Sequence, residues 1–257
     1  MTGKVVLTAR QQIIFDRVEE NGSLLIKDMA SELGVSEATI RRDFDEMALY
    51  GFVERVHGGV VKAGGTAIER FHSEKMQTML TEKQHIAAKA SSLVNSGDSI
   101  FLDSGSTTLF IAQALENVPN LTILTNNLDI AYSCRFHPTT ALLVTGGMRR
   151  DNYSVLIGDV AENMIKSFFV DTAFLGCDAI TIEAGVYNAN VQELGVKTAI
   201  VGCGRRLVLA TDSSKFHKKA LAKVCDVSAL DVVITDSGLS DENFDRLRKV
   251  VVNSYRV

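Results

Sequence analysis

IFLDSGSTTLFIAQAL, residues 100–115, passes from an apolar strand pattern through a glycine, serine and threonine turn into a helical pattern. Free amides at a helix start, helped by nearby hydroxyls, are a common grip for a phosphate dianion. Outward from this stretch, short apolar or β-branched runs alternate with helical patterns: Ser99–Leu102, Leu121–Thr125, Ala141–Val144, Thr172–Leu175, Arg206–Ala210, Val232–Thr235 and Val250–Val252. That alternation predicts a mostly parallel sheet covered on both faces.

Ligands of such sheets sit beyond the carboxyl ends of the strands. Four expected strand ends carry polar or cationic groups: Asp103 to Thr108, Thr125-Asn126-Asn127, Thr145-Gly146-Gly147 followed by Arg149 and Arg150, and Asp212-Ser213-Ser214-Lys215. Any one of these alone reads as a helix cap, a turn or a solvated pair. Their joint occurrence favours a pocket for an anionic ligand.

The first sixty residues have a different organisation. Thr8 is placed to cap a helix that carries Ile13, Ile14, Phe15 and Val18 inward and stops at Asn21-Gly22. After the extended Ser23–Leu25, a second helix through Met29, Ala30 and Leu33 ends at Gly34, and Ser36 can cap a third. Two helices joined so tightly suggest helix-turn-helix. On the third helix Ile40, Phe44 and Met47 form a core stripe, which leaves Ala38, Arg41, Arg42 and Asp45 facing outward. FVERVHGGVV then alternates around His57, Gly58 and Gly59, as a two-stranded wing would.

Total charge gives no argument for DNA, since eight basic residues face ten acidic ones through residue 62. Distribution does, because Arg41, Arg42, Arg55 and His57 cluster on the third helix and wing. KAGGTAIERFHSEKMQT has no sustained apolar period, which places a linker at 63–80 between a domain at 1–62 and another at 81–257. No apolar run approaches the roughly eighteen residues of a membrane span, and the first thirty residues have no signal-peptide order. A soluble, cytoplasmic protein without membrane partners is expected. Cys134, Cys177, Cys203 and Cys225 form no CxxC pair, and the five histidines form no HExxH. Reduced thiols, no metal site and no cofactor follow.

The stretch VSEATIRRDF followed by GFVERVHGG, with the helices around it, resembles the amino-terminal domain of the DeoR family of bacterial transcriptional regulators. DSGSTT, TNN, VTGGMRR, AFLGCDAI, the spaced Asn190 and Glu193, and LATDSSKF resemble the DeoR-type sensor domain and, more distantly, ribose 5-phosphate isomerase. The resemblance implies a winged helix-turn-helix followed by a mostly parallel α/β sensor, and double-stranded operator DNA as partner. Arg41 and Arg42 would meet bases or phosphates, Ser36 and Thr39 phosphate oxygens, and Arg55 and His57 the adjacent backbone. In the sensor it implies that Gly105, Ser106, Thr107, Thr108 and Lys215 hold the phosphate side of a phosphorylated sugar. Asp103, Asn126, Arg150, Asp178 and Glu193 would complete the site, the carboxylates and the amide meeting hydroxyls.

An isomerase-like enzyme fused to a DNA-binding domain is the alternative. Glu193 could serve as its base. The comparable isomerase segment, however, carries a second acid and a lysine where this chain has Leu175 and Gly185-Val186-Tyr187-Asn188. The expectation is therefore a repressor without catalytic residues, released by a sugar phosphate and assembled as a dimer or tetramer.

Overall fold

The computed structural model describes residues 7–50, 52–56, 58–62, 75–76, 78–150 and 153–257. The chain divides into two units, Met1–Arg70 and Phe71–Val257. Most of the expected linker, residues 63–74 and 77, lies outside the described residues, as does His57.

In the first unit, α1 (Ala9–Asn21) begins with a capping box in which Thr8 and Gln11 satisfy each other's backbone amides. Strand β1 (Ser23–Leu25) leads directly into α2 (Ile26–Leu33), and α3 (Glu37–Leu49) starts at the Ser36 cap. Strands β2 (Val53–Val56) and β3 (Gly59–Lys62) form the antiparallel wing, and β1 joins β3 on its other side. Gly59 is required there: a Cβ at this position would lie 2.1 Å from the carbonyl oxygen of Leu24. Ile14, Val18, Met29, Ile40, Phe44, Met47 and Val60 are buried together. Ile13 is not part of this core. It is 44% exposed, because stepping 100° per residue puts it opposite the buried stripe of Gln11, Ile14, Phe15 and Val18.

The second unit opens with α4 (Leu80–Ser91) and is built on a seven-stranded, wholly parallel sheet. Its strands are β4 (Ser99–Leu102), β5 (Thr122–Thr125), β6 (Ala141–Val144), β9 (Val170–Leu175), β12 (Gly204–Ala210), β14 (Val232–Thr235) and β15 (Asn253–Arg256). Their order across the sheet is β15-β14-β12-β9-β4-β5-β6. Alternate residues point to opposite faces. Ile100, Leu102 and Val208 pack with α4 and α5 (Ser106–Ala114), whereas Phe101, Leu207 and Leu209 pack with α7 (Asp159–Lys166) and α8 (Leu194–Val201). The short α6 (Leu128–Ser133) follows β5.

Two features depart from the sequence expectation. Val250–Val252 is not a strand: α9 (Asp241–Val250), capped by Ser240, runs to its end, and Val251 still donates to Leu247. Pairing with β14 begins only at Asn253, opposite Val232. The chain also forms antiparallel structure beside the main sheet. One piece is the pair β7 (Met148–Arg149) and β8 (Leu156–Ile157); the other is a three-stranded sheet of β10 (Ala179–Thr181), β11 (Gly185–Asn188) and β13 (Ala222–Cys225).

Candidate functional site

The third helix of the first unit presents a charge pattern that its neighbours refine. Asp43 faces inward and is held by Arg10 through two bonds, of 2.6 and 3.1 Å. Glu46 accepts from Gln11 at 2.9 Å. Glu37 pairs with Arg41 one turn on, at 3.8 Å, and Asp45 pairs with Arg55 at 2.8 Å. Arg42 is exposed and makes no hydrogen bond or ion pair among the described residues. Arg55 also donates to the carbonyl of Gly59 at 2.9 Å, so its guanidinium brackets the wing against α3. Ser36 and Thr39 bond to each other at 2.9 Å at the helix start.

In the second unit the expected strand-end groups do collect at the carboxyl edge of the sheet. The start of α5 follows β4 through Gly105, whose φ of +147° is a conformation suited to glycine. Gly105 supplies no side-chain cap, and Leu109 is the first residue to close back onto it, through its amide. The amides of Ser106, Thr107 and Thr108 therefore open this helix uncapped, which is the arrangement that attracts an anion. Thr108 is buried and donates its hydroxyl to the Gly105 carbonyl at 3.0 Å.

Asp103 is fully buried and already committed. It accepts from the amides of Ser104 and Gly176, at 2.7 and 3.0 Å, and from the Lys197 ammonium at 2.6 Å. Burial alone would lower the affinity of Lys197 for its proton, but the Asp103 and Glu193 charges outweigh burial and raise it. Arg150 and Glu193, far apart in sequence, form a buried pair at 2.6 Å, and Asn188 donates to the other Glu193 oxygen at 3.2 Å. Asp178 accepts from Lys75 at 2.7 Å and from the Ala189 amide at 2.9 Å. Burial pushes its carboxyl up, yet Lys75 and that amide more than compensate and hold it well below the usual carboxylate range.

Asn126 is buried at the end of β5. Its amide nitrogen donates to the Leu156 carbonyl at 3.4 Å, while among the described residues its side-chain oxygen has no partner, and neither has the Thr145 hydroxyl on the neighbouring strand end. Such unspent capacity inside a protein calls for a partner from elsewhere. The Lys215 ammonium is likewise without an ion pair among the described residues. No hydrogen bond or ion pair joins the side chains of Asn126 or Lys215 to the other expected site residues.

Two family models match this chain. The DeoR-like helix-turn-helix domain covers residues 10–64, and the DeoR C terminal sensor domain covers residues 78–237. The chain belongs to the DeoR family of transcriptional regulators. Its DeoR-family relatives include an uncharacterized HTH-type transcriptional regulator of Escherichia coli strain K12, 35% identical over 90% of this chain and 91% of the relative. The glycerol-3-phosphate regulon repressor of the same strain is 30% identical over 90% of this chain and 91% of the relative. Among solved structures, ribose 5-phosphate isomerase A of Methanocaldococcus jannaschii matches 54% of this chain and 55% of its own, at 16% identity and a TM-score of 0.39.

Sequence reading passed over three lysines in the DeoR sensor unit. Lys197 is the one charge in the mostly apolar LGVKTAIV, and a lone charge in such a helix signals a buried pair. Lys83 falls on the stripe of Ile86, Ala87 and Ala90, and it is only 3% exposed. Its ammonium donates to the carbonyls of Lys75 and of Thr78, the latter at 2.6 Å. Burial lowers its pKa to about 8, with Asp212 opposing the shift and Lys215 and Lys75 adding to it. Lys75 carries no local signal at all, because its partner Asp178 is distant in sequence. The four thiols are all free. Burial pushes the Cys177 and Cys203 thiols up to about 12 and the Cys134 and Cys225 thiols up to about 11, so none is a ready nucleophile.

Proposed function

We propose that this chain is a repressor of a carbohydrate-metabolism operon. It would grip double-stranded operator DNA with the outward face of α3 and be released by a phosphorylated sugar or sugar derivative bound at the strand ends of the second unit. The observation that carries the reading is the uncapped start of α5, set at the carboxyl edge of a parallel sheet and borne on the same chain as a DeoR-like helix-turn-helix domain. Lys215 supplies a cation for the phosphate side. Asn126 supplies an acceptor for a sugar hydroxyl, and Arg150, Asp178 and Glu193 complete the wall. The relative named for the glycerol-3-phosphate regulon supports a phosphorylated polyol as the class of ligand.

A sensor fits these contacts better than an isomerase does. Proton transfer during aldose–ketose exchange needs an available base and an electrophile near the carbonyl. Glu193 is held by Arg150 and Asn188, and the Lys197 ammonium by Asp103 and the Gly176 carbonyl. Neither is at liberty. The chain would work in the cytoplasm as a homo-oligomer, a dimer or a tetramer, that sets two helix-turn-helix units on repeated half-sites.

The test is a thermal-shift screen of glycerol 3-phosphate, ribose 5-phosphate and glucose 6-phosphate, followed by mobility shifts on DNA flanking the gene. At least one compound is expected to stabilise the protein and to dissociate the complex. Lys215→Ala should bind the same DNA as tightly but need about tenfold more sugar phosphate for release. Conversion of ribose 5-phosphate to the ketose at ordinary enzyme rates would overturn the sensor reading.

A further inference from the structure

The opening segment of the second unit is tied down at three points by two lysines, Lys75 and Lys83, that the proposed function does not use. Lys75 reaches across to Asp178 at 2.7 Å, with side chains 16% and 14% exposed. Lys83, buried on α4, clamps the carbonyls of Lys75 and Thr78. Between them Met79 sits at φ +54° and ψ +45°, a left-handed conformation that is unfavourable for a residue with a side chain. A strained turn held by polar clamps is a segment with a second arrangement within reach.

Asp178 is where this clamp meets the candidate ligand. Its second oxygen stays on the Ala189 amide, so the carboxylate keeps its place whichever cation or donor faces the first. A sugar hydroxyl that takes the place of the Lys75 ammonium at the first oxygen breaks the ion pair. We infer that Lys75 is the coupling residue of this sensor: its ion pair with Asp178 helps hold the start of the second unit at Lys75, Met76, Thr78 and Met79 in place, and a hydroxyl of the bound sugar phosphate breaks that pair. In sequence, residues 63–74 join the helix-turn-helix domain to Lys75, so a change of partner at this lysine falls at the covalent connection between DNA binding and ligand binding. The inference rests on the sugar-phosphate reading and adds to it the route by which occupancy is reported.

The experiment uses full-length wild type, Lys75→Met and Lys75→Arg, with glycerol 3-phosphate, ribose 5-phosphate and glucose 6-phosphate as probes. Without any probe, the Lys83 amide, which donates to the Met79 carbonyl, should exchange about tenfold faster in Lys75→Met than in wild type. The probe that stabilises wild type should bind Lys75→Met about five- to tenfold more tightly, because no ammonium has to be displaced, yet leave its DNA affinity unchanged. Lys75→Arg should follow wild type in both. Unchanged exchange in Lys75→Met overturns the inference, as does weaker probe binding, which would make Lys75 a direct contact of the phosphate. If no probe stabilises wild type, the sugar-phosphate reading itself fails and the inference with it. A wild-type response that Lys75→Met reproduces in full sinks the inference alone.

Discussion

Arg42 differs from every other charged residue of its helix. Glu37, Arg41, Asp43, Asp45 and Glu46 all have partners within the first unit, whereas the Arg42 guanidinium has none among the described residues. An exposed, unshared guanidinium is the cheapest one to bring to a phosphate or a base edge, because no ion pair has to be broken first. Arg42→Ala should therefore weaken operator binding by about 1–3 kcal/mol and leave the thermal unfolding of the protein within about 0.5 kcal/mol of wild type. Mobility-shift titrations beside a melting curve check both halves, and wild-type affinity in the variant would remove Arg42 from the interface. Arg41 and Arg55 are expected to matter less per charge, since each must be taken from a carboxylate.

At the scale of elements, the local signals were the readable ones. Thr8, Ser36, Gly22 and Gly34 lie at the helix ends where the sequence puts them, because caps depend on a few neighbouring residues. The six central strands were also legible from their apolar runs. The antiparallel sheet of β10, β11 and β13 was not. Its strands are short, and β11 joins β13 through an irregular register at Val186 and Tyr187, which no alternation of residue types announces. In the wing, the close approach at Gly59 makes a sharp prediction. Gly59→Ala would drive a methyl into the Leu24 carbonyl, part β1 from β3, and cost the first unit about 1–3 kcal/mol. Chemical denaturation followed separately in the two units should show the loss in the first only; a variant as stable as wild type would mean that β1 shifts freely.

For the whole molecule, the placement of the candidate site's residues was half legible. Residues that a strand brings to its own end, such as Asp103, Ser106 and Asn126, follow from the sheet rule. Lys75, Lys83 and Lys197 gain their roles from partners that the order of the sheet supplies, and sequence does not reveal that order. Lys83 gives the second unit a pH signature. Its pKa falls from 10.5 in the unfolded chain to about 8 in the fold, so between those values the unfolded state holds more protons and stability rises with pH. The contribution is complete above about 10.5 and is lost as pH falls through about 8; over the whole window it amounts to up to about 3 kcal/mol. Lys83→Met should flatten that slope in denaturation curves measured from pH 7 to 10, and an unaltered slope would show that the ammonium is better hydrated than its burial implies.

The triple bonding of Asp103 has a kinetic corollary. Because Ser104, Gly176 and Lys197 already converge on one carboxylate, the floor between β4 and β9 is assembled without a ligand, and the proposed sugar phosphate would meet it ready-made. Capture should then be limited by diffusion and dehydration, with a small heat-capacity change. Under the proposed function, slowness in the response would belong to the steps that follow docking, so a cell's delay in derepression would measure the mechanical part of this molecule and not its chemistry of recognition.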